Sequence, residues 1–235
     1  MEILKREQLE RVCEKILSAA GVESDEAVVV TESLVESNLL GIDSHGVLRI
    51  PDYVRKIKKG TIKLGTKISV IKETETSALI NGAFGFGQVV ARKATQIAVE
   101  KAKSSGIGVV GLIKSNHIGR LGEYTSNIAE NGMIGLGFCN SVPVVAPFGG
   151  SMRRLGTNPF SVAFPSNKYP FLLDYATSTV AEGKLRQKYF SKQEIPLGWI
   201  IDGNGNPSTN PADYYDGKGP CCPSANTKVT LCPWW

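Results

Sequence analysis

Apolar side chains recur every three or four positions in KREQLERVCEKILSAAG, at Leu9, Val12, Cys13, Ile16, Leu17 and Ala20. That spacing predicts one buried face of a helix, stopped by Gly21. A second helix is expected from Ser24 to Gly41, with Asp25 and Glu26 suited to its positive N-terminal end. A third is expected from Pro51, a good first-turn residue, to Gly60. Residues 1–70 therefore read as a helical region whose connecting loop is GIDSHGVLRI.

The pattern then changes. KISVIKETETSALING alternates and is β-branched, which predicts a hairpin. GQVVARKATQIAVEKAKSSG predicts a long amphipathic helix, and IGVVGLI a short apolar strand. A polar loop KSNHIG follows, then a helix over GEYTSNIAENG and a strand over MIGLGFCN. SVAFPS and PFLLDYA read as further strands, and IPLGWIIDGNGNPSTNPADYYDG as turns around one short hairpin. This alternation predicts an α/β region over 71–219 with some parallel pairing.

Composition narrows the classes. Hydrophobic content of 42% and charged content of 21% suit a globular protein with one sizeable core or two. The net charge of +5 comes partly from Arg55, Lys56, Lys58, Lys59, Lys63 and Lys67. No aromatics interleave with these cations, so a solvated helix face is favoured over a polyanion surface, and no nucleic-acid partner is expected. MEILKREQLE carries charge where a signal peptide needs an apolar run, and no stretch has membrane-spanning length. A cytoplasmic protein without a membrane partner is the expectation.

The chain has 2 histidines, His45 in DSHGVLR and His117 in SNHIGR, both in expected loops. A lone histidine is more often structural than catalytic. His117, however, follows a strand, where ligand sites of α/β sheets gather, and imidazole exchanges protons near neutral pH. Arg49 and Tyr53 follow His45 at successive four-residue steps, which puts all three on one face if the third helix extends back that far. An arginine fork suits a substrate carboxylate.

NGAFGFGQ opens a helix but has the wrong glycine spacing and lacks the acidic residue of a dinucleotide fingerprint. DGNGNPS has Asp202, Asn204 and Asn206 at calcium-loop spacing, but Pro207 stands where that loop needs glycine. No His/Cys spacing outside the tail supports zinc, so no metal is expected. The residues alone reach an α/β enzyme with a two-histidine site.

SHGVLRIPDYVRKIKKG, GFGQVVARKA, KSNHIGRLGEY, RRLGTNPFSVAFP and LDYATSTVAEGK, in this order, resemble the type 2 malate/L-lactate dehydrogenase family, also called sulfolactate dehydrogenase-like. The resemblance runs to about Gly219. It implies an N-terminal helical region plus a mixed-sheet cofactor domain unrelated to Rossmann folds. It also implies NAD or NADP as cofactor and a small 2-hydroxy or 2-oxo acid as substrate. A cyclic imino acid reductase of the same family is the alternative, and a non-catalytic fragment is another. Homodimers are implied, with sites near the subunit boundary.

Carried onto matching positions, the resemblance gives acid/base chemistry to His45 and His117 and the carboxylate clamp to Arg49. Ser44, Tyr53 and Thr157 would line the same pocket. Asp174 would orient a histidine or contact the cofactor. Ser141, Ala176, Thr177, Ser178 and Lys184 match cofactor-contacting segments.

The end of the chain, GPCCPSANTKVTLCPWW, does not match what the family shows after this turn. Codons for CCPSANTKVT, read one nucleotide earlier, can spell LLPFGEHKGY, which does match. Residues 220–235 are therefore expected to be a frameshifted tail, with weak activity or poor solubility as the consequence. Adjacent cysteines without a nearby histidine suit neither a zinc site nor a cytoplasmic disulfide.

Overall fold

The computed structural model describes residues 4–217 and 219–223. Helices α1 (Arg6–Ala19), α2 (Ser24–Leu39) and α3 (Ile50–Lys58) form the N-terminal layer. The inward stripe of α1 is narrower than its sequence suggests. Cys13 and Leu17 are buried, while Val12 and Ile16 are 47% and 42% exposed. Helix α2 instead buries several sides, including Val30, Leu34 and Val35, because both α1 and α4 (Gly87–Ser105) pack on it. Tyr53, Ile62 and Phe86 join this core, so residues beyond position 60 close the helical layer. Burying Leu17 and Leu34 completely contributes about 1.5–3 kcal/mol each.

Strands β1 (Ser69–Glu73) and β2 (Ser77–Asn81) form the expected hairpin. Strand β3 (Val109–Ile113) pairs with β2 in parallel after the α4 crossover, which ends at Gly106 in the left-handed conformation (φ 78°). Helix α5 (Leu121–Glu130) leads to a separate sheet of β4 (Gly135–Phe138), β5 (Phe160–Phe164) and β6 (Phe171–Tyr175). This second sheet is antiparallel throughout. Among the named strands of the described residues, the parallel pairing expected from the element order is found between β2 and β3, with one isolated parallel bridge between Val145 and Cys221. The physical reason is that a parallel neighbour needs a crossover, usually helical. No helix lies between β4 and β5, and only a short loop joins β5 to β6.

The remaining elements are α6 (Glu182–Phe190), β7 (Ile200–Ile201), β8 (Pro207–Ser208) and α7 (Ala212–Tyr215). Helix α6 escapes periodicity analysis because EGKLRQKYF buries only Gly183 and Leu185. The β7–β8 hairpin is tightened by Asp202, whose Oδ1 accepts the N–H groups of Asn204 and Asn206, each at 2.8 Å. That carboxylate is spent on its own turn. The second sheet leaves Leu136, Phe138, Phe164 and Phe171 exposed on its strands. Among the described residues no helix is long and apolar enough to cross a membrane.

A last cluster gathers Val145, Val180, Leu185, Ile195, Ile200, Tyr214 and Cys221. Cys221 is fully buried, donates its N–H to the Val144 carbonyl at 2.9 Å and accepts from the Ala146 N–H at 3.0 Å. Cys222 donates to the Trp199 carbonyl. Both thiols are free. Burial pushes the Cys221 thiol up to about 12, which makes it a packing group rather than a reactive one. Of the tail expected to be frameshifted, 220–223 thus take part in the fold, and 224–235 lie outside the described residues.

Candidate active site

Between α2 and α3 the chain makes two 3-10 turns, Asp43–His45 and Val47–Arg49. Gly46 separates them, and a side chain there would overlap Asn38. Asn38 Oδ1 in turn accepts the Val47 N–H at 2.9 Å. The third helix therefore starts at Ile50 and does not reach back to His45. His45, Arg49 and Tyr53 do not share one helical face, which corrects the sequence expectation. The turns bring them to one site by another route. Arg49 folds back so that its Nε donates to the Ser44 carbonyl at 2.7 Å, and Ser44 Oγ lies 3.0 Å from His45 Nδ1.

His117 lies in the loop between β3 and α5, and the loop is seated on α4. A Cβ on Gly87 would overlap the His117 carbonyl, so the glycine of GFGQ is needed for close backbone approach and not for a phosphate. The two imidazoles stack with ring centroids 5.5 Å apart and planes 21° apart. Tyr53 Oη sits 2.8 Å from His117 Nδ1, and Gln88 Nε2 donates to the same oxygen at 2.7 Å. The phenolic oxygen has lone pairs for both Gln88 and a protonated Nδ1. Tyr53 thus engages Nδ1, and Nε2 has no protein partner among the described residues.

Helix α6 closes the other side. Gly183 packs directly on Ser44, and any side chain there would overlap it. Arg49 Nη2 reaches Glu182 Oε2 at 3.4 Å. Arg186 bonds Asp52 at 2.5 Å and Glu182 at 3.1 Å, and Tyr215 donates to Glu182 at 2.8 Å. Burial would raise the Asp52 carboxyl, but Arg186, Arg55 and Arg49 hold it below its usual range.

Electrostatics keep both histidines neutral. Burial, then the Arg49 and Arg120 charges, lower His45 from 6.5 to about 4. Burial, then Arg49, hold His117 well below its usual range. Burial pushes the Tyr53 hydroxyl up to about 12, so it remains a phenol. As pH falls below 6.5 the unfolded chain takes up protons that the folded chain refuses. His45 therefore contributes stability above 6.5 that is lost as pH falls to about 4, by up to about 3 kcal/mol. The melting temperature should drop across that window, and His45→Gln should flatten the drop. A His45→Gln profile parallel to wild type would show that the ring is not desolvated.

Asp174 on β6 accepts the Gly122 N–H at 2.6 Å, tying the second sheet to the start of α5. It does not bond either imidazole. Burial raises its carboxyl, partly offset by that N–H and by Arg120. Ser141, Thr157 and Thr177 form a separate hydroxyl-rich group. Ser141 Oγ lies 3.0 Å from Thr157 Oγ1 and accepts the Thr157 N–H at 2.8 Å. Thr177 donates to the Thr157 carbonyl from both its N–H, at 2.8 Å, and its hydroxyl, at 3.0 Å. Gly156 beneath them leaves a cradle that a Cβ would fill against Ser141. Ala176 is partly buried between these groups, and Lys184 is exposed on α6. Ser178 is buried and turns its hydroxyl to the Val180 carbonyl at 2.8 Å, a structural bond. The hydroxyls of Ser141, Thr157 and Thr177 suit a polar dinucleotide.

Gln88, Asp52, Glu182, Arg186 and Arg120 were not singled out by sequence. Only Gln88 carried a signal, its place after the glycines of GFGQ. The others are ordinary charged helix residues until α3, α5 and α6 converge.

The chain matches the family model described as malate/L-lactate dehydrogenase over residues 4–229. It is 43% identical over 216 residues to the malate/(S)-sulfolactate dehydrogenase of Methanothermus fervidus, covering 92% of this chain and 64% of that protein. It superposes with a TM-score of 0.91 and 35% identity on a solved putative malate/lactate dehydrogenase from E. coli, covering 99% of this chain and 66% of the other. A solved delta1-piperideine-2-carboxylate reductase from Pseudomonas syringae gives a TM-score of 0.89 at 26% identity, with 96% and 68% covered. The chain thus spans a little under two thirds of the length of the curated relative it matches. A family match over most of the chain, with a relative at 43% identity, makes this protein a member of the malate/L-lactate dehydrogenase family of oxidoreductases.

Proposed function

We propose that the protein transfers a hydride between NAD(P) and a small 2-hydroxy or 2-oxo acid. The observation that carries this reading is the stacked His45–His117 pair, with Arg49 acting electrostatically on both rings. Arg49 binds the substrate carboxylate. Ser141, Thr177 and Lys184 would hold the nicotinamide cofactor, which would supply or take the hydride at C2. In reduction His117, protonated on both nitrogens, gives its Nε2 proton to the C2 oxygen and keeps Nδ1–H against Tyr53 Oη; in oxidation the unprotonated Nε2 takes the hydroxyl proton back.

The arginine also couples binding to proton loading. Burial is the larger cause of the low imidazole values and the Arg49 charge adds to it, so an arriving carboxylate that neutralises the arginine raises both rings part of the way back. Proton transfer is thereby favoured when substrate is present. We further read the protein as cytoplasmic and, on the family resemblance, as a homodimer.

A panel of malate, lactate and their 2-oxo partners, with NAD(H) and NADP(H), tests the reading. NAD(P)-dependent turnover of at least one pair is expected. A panel that is silent for 2-oxo acids but active on cyclic imines would replace it with the imino acid reductase reading, which the Pseudomonas syringae likeness favours.

A further inference from the structure

The cations of the pocket differ in one respect. Arg49 is bonded to Ser44 and Glu182, and Arg186 to Asp52 and Glu182. Arg120 is 8% exposed, yet its side chain has no hydrogen bond or ion pair among the described residues, and its Nε is fully enclosed without a partner. A guanidinium carries five donors, and a buried one is normally paired. Leaving it unpaired is costly unless something else is meant to meet it.

Its place points to the substrate. Arg120 follows His117 by three residues and caps the start of α5. A Cβ placed on Gly122 would be 3.3 Å from Arg120 Nη1 and 2.8 Å from Asp174 Oδ2, so the guanidinium and that carboxylate flank the same glycine. Asp174 gives its bond to the Gly122 N–H and leaves the guanidinium free. Arg49 acts on both histidines, whereas Arg120 acts on His45. The two arginines therefore border the acid/base pair from different positions.

We propose that Arg120 receives a second acid group of the substrate, a carboxylate or sulfonate beyond the reacting carbon, while Arg49 holds the first. The inference rests on the 2-hydroxy acid reading and adds the substrate class. Acids with two anionic ends are preferred over those ending in a methyl group. Arg120 is a specificity-determining residue, not one that moves the proton or hydride.

The test is binding, so it does not need turnover. Affinities for (S)-malate and (S)-lactate are measured by calorimetry on the whole chain with NAD(H), for wild type, Arg120→Met and Arg120→Lys. Wild type should prefer malate, and Arg120→Met should lower the malate-to-lactate ratio by about 10- to 100-fold. Arg120→Lys should keep part of it.

The proposal is overturned if wild type binds neither acid or both alike, or if Arg120→Met keeps the ratio. It is also overturned if that variant loses NAD(H) affinity alone. Turnover recorded in parallel separates the two readings. A malate preference lost on substitution, with no hydride transfer, would count against the oxidoreductase reading and for Arg120.

Discussion

Replacing His117 with Ala lowers turnover by about 100- to 10,000-fold relative to the unsubstituted chain, the usual cost of removing a general acid/base. His117 is held on three sides: Gly87 admits its backbone, His45 stacks on its ring, and Tyr53 fixes Nδ1. Only Nε2 remains for the reacting oxygen. The loss should appear in kcat more than in KM, because the ring acts on the proton and not on the carboxylate. Tyr53→Phe is the companion measurement. It keeps the packing, removes the bond to Nδ1, and should give a smaller loss with a shifted pH profile. If His117→Ala keeps near-wild-type kcat while His45→Ala abolishes it, the acid/base role belongs to His45.

Arg49→Ala should lower kcat/KM by about 100- to 1,000-fold, chiefly through KM, because a charge-assisted bond to the carboxylate is lost. A second signature separates this from general damage. The positive charge lowers both histidines, so removing it raises both and moves the acidic limb of the pH–rate profile toward neutral pH. Arg49→Lys keeps the charge and should keep the acidic limb, while losing the fork geometry. Arg49 also holds the Ser44 carbonyl, so melting is recorded alongside. An Arg49→Ala variant with unchanged KM and pH profile would remove it from the substrate site.

The elements were legible wherever burial follows one period. The α1, β2 and α4 patterns stand close to where the sequence puts them, because each turns an apolar face to a core, whereas β1 is exposed at every residue and is legible only through its alternation and its pairing with β2. Helix α6 was not legible, because it buries a glycine and one leucine and spends its charged residues on the site. The His45–Arg49–Tyr53 alignment was right in outcome and wrong in route. Spacing implied one helix, but Gly46 and Asn38 force two tight turns.

By itself the sequence determined the period of each helix and strand, the absence of a dinucleotide fingerprint, and the motifs that resemble this family. It also picked out His45, His117 and Arg49, because the chain has 2 histidines, each beside polar and glycine residues in an expected loop. Only the tertiary structure decided that Tyr53 and Gln88 form one relay to His117, that α6 encloses Arg49, and that Arg120 is buried without a partner. The reason is separation along the chain. Local pattern records which face of an element is apolar, but hydrogen bonds and charge pairs between residues far apart exist only once packing has fixed the distances.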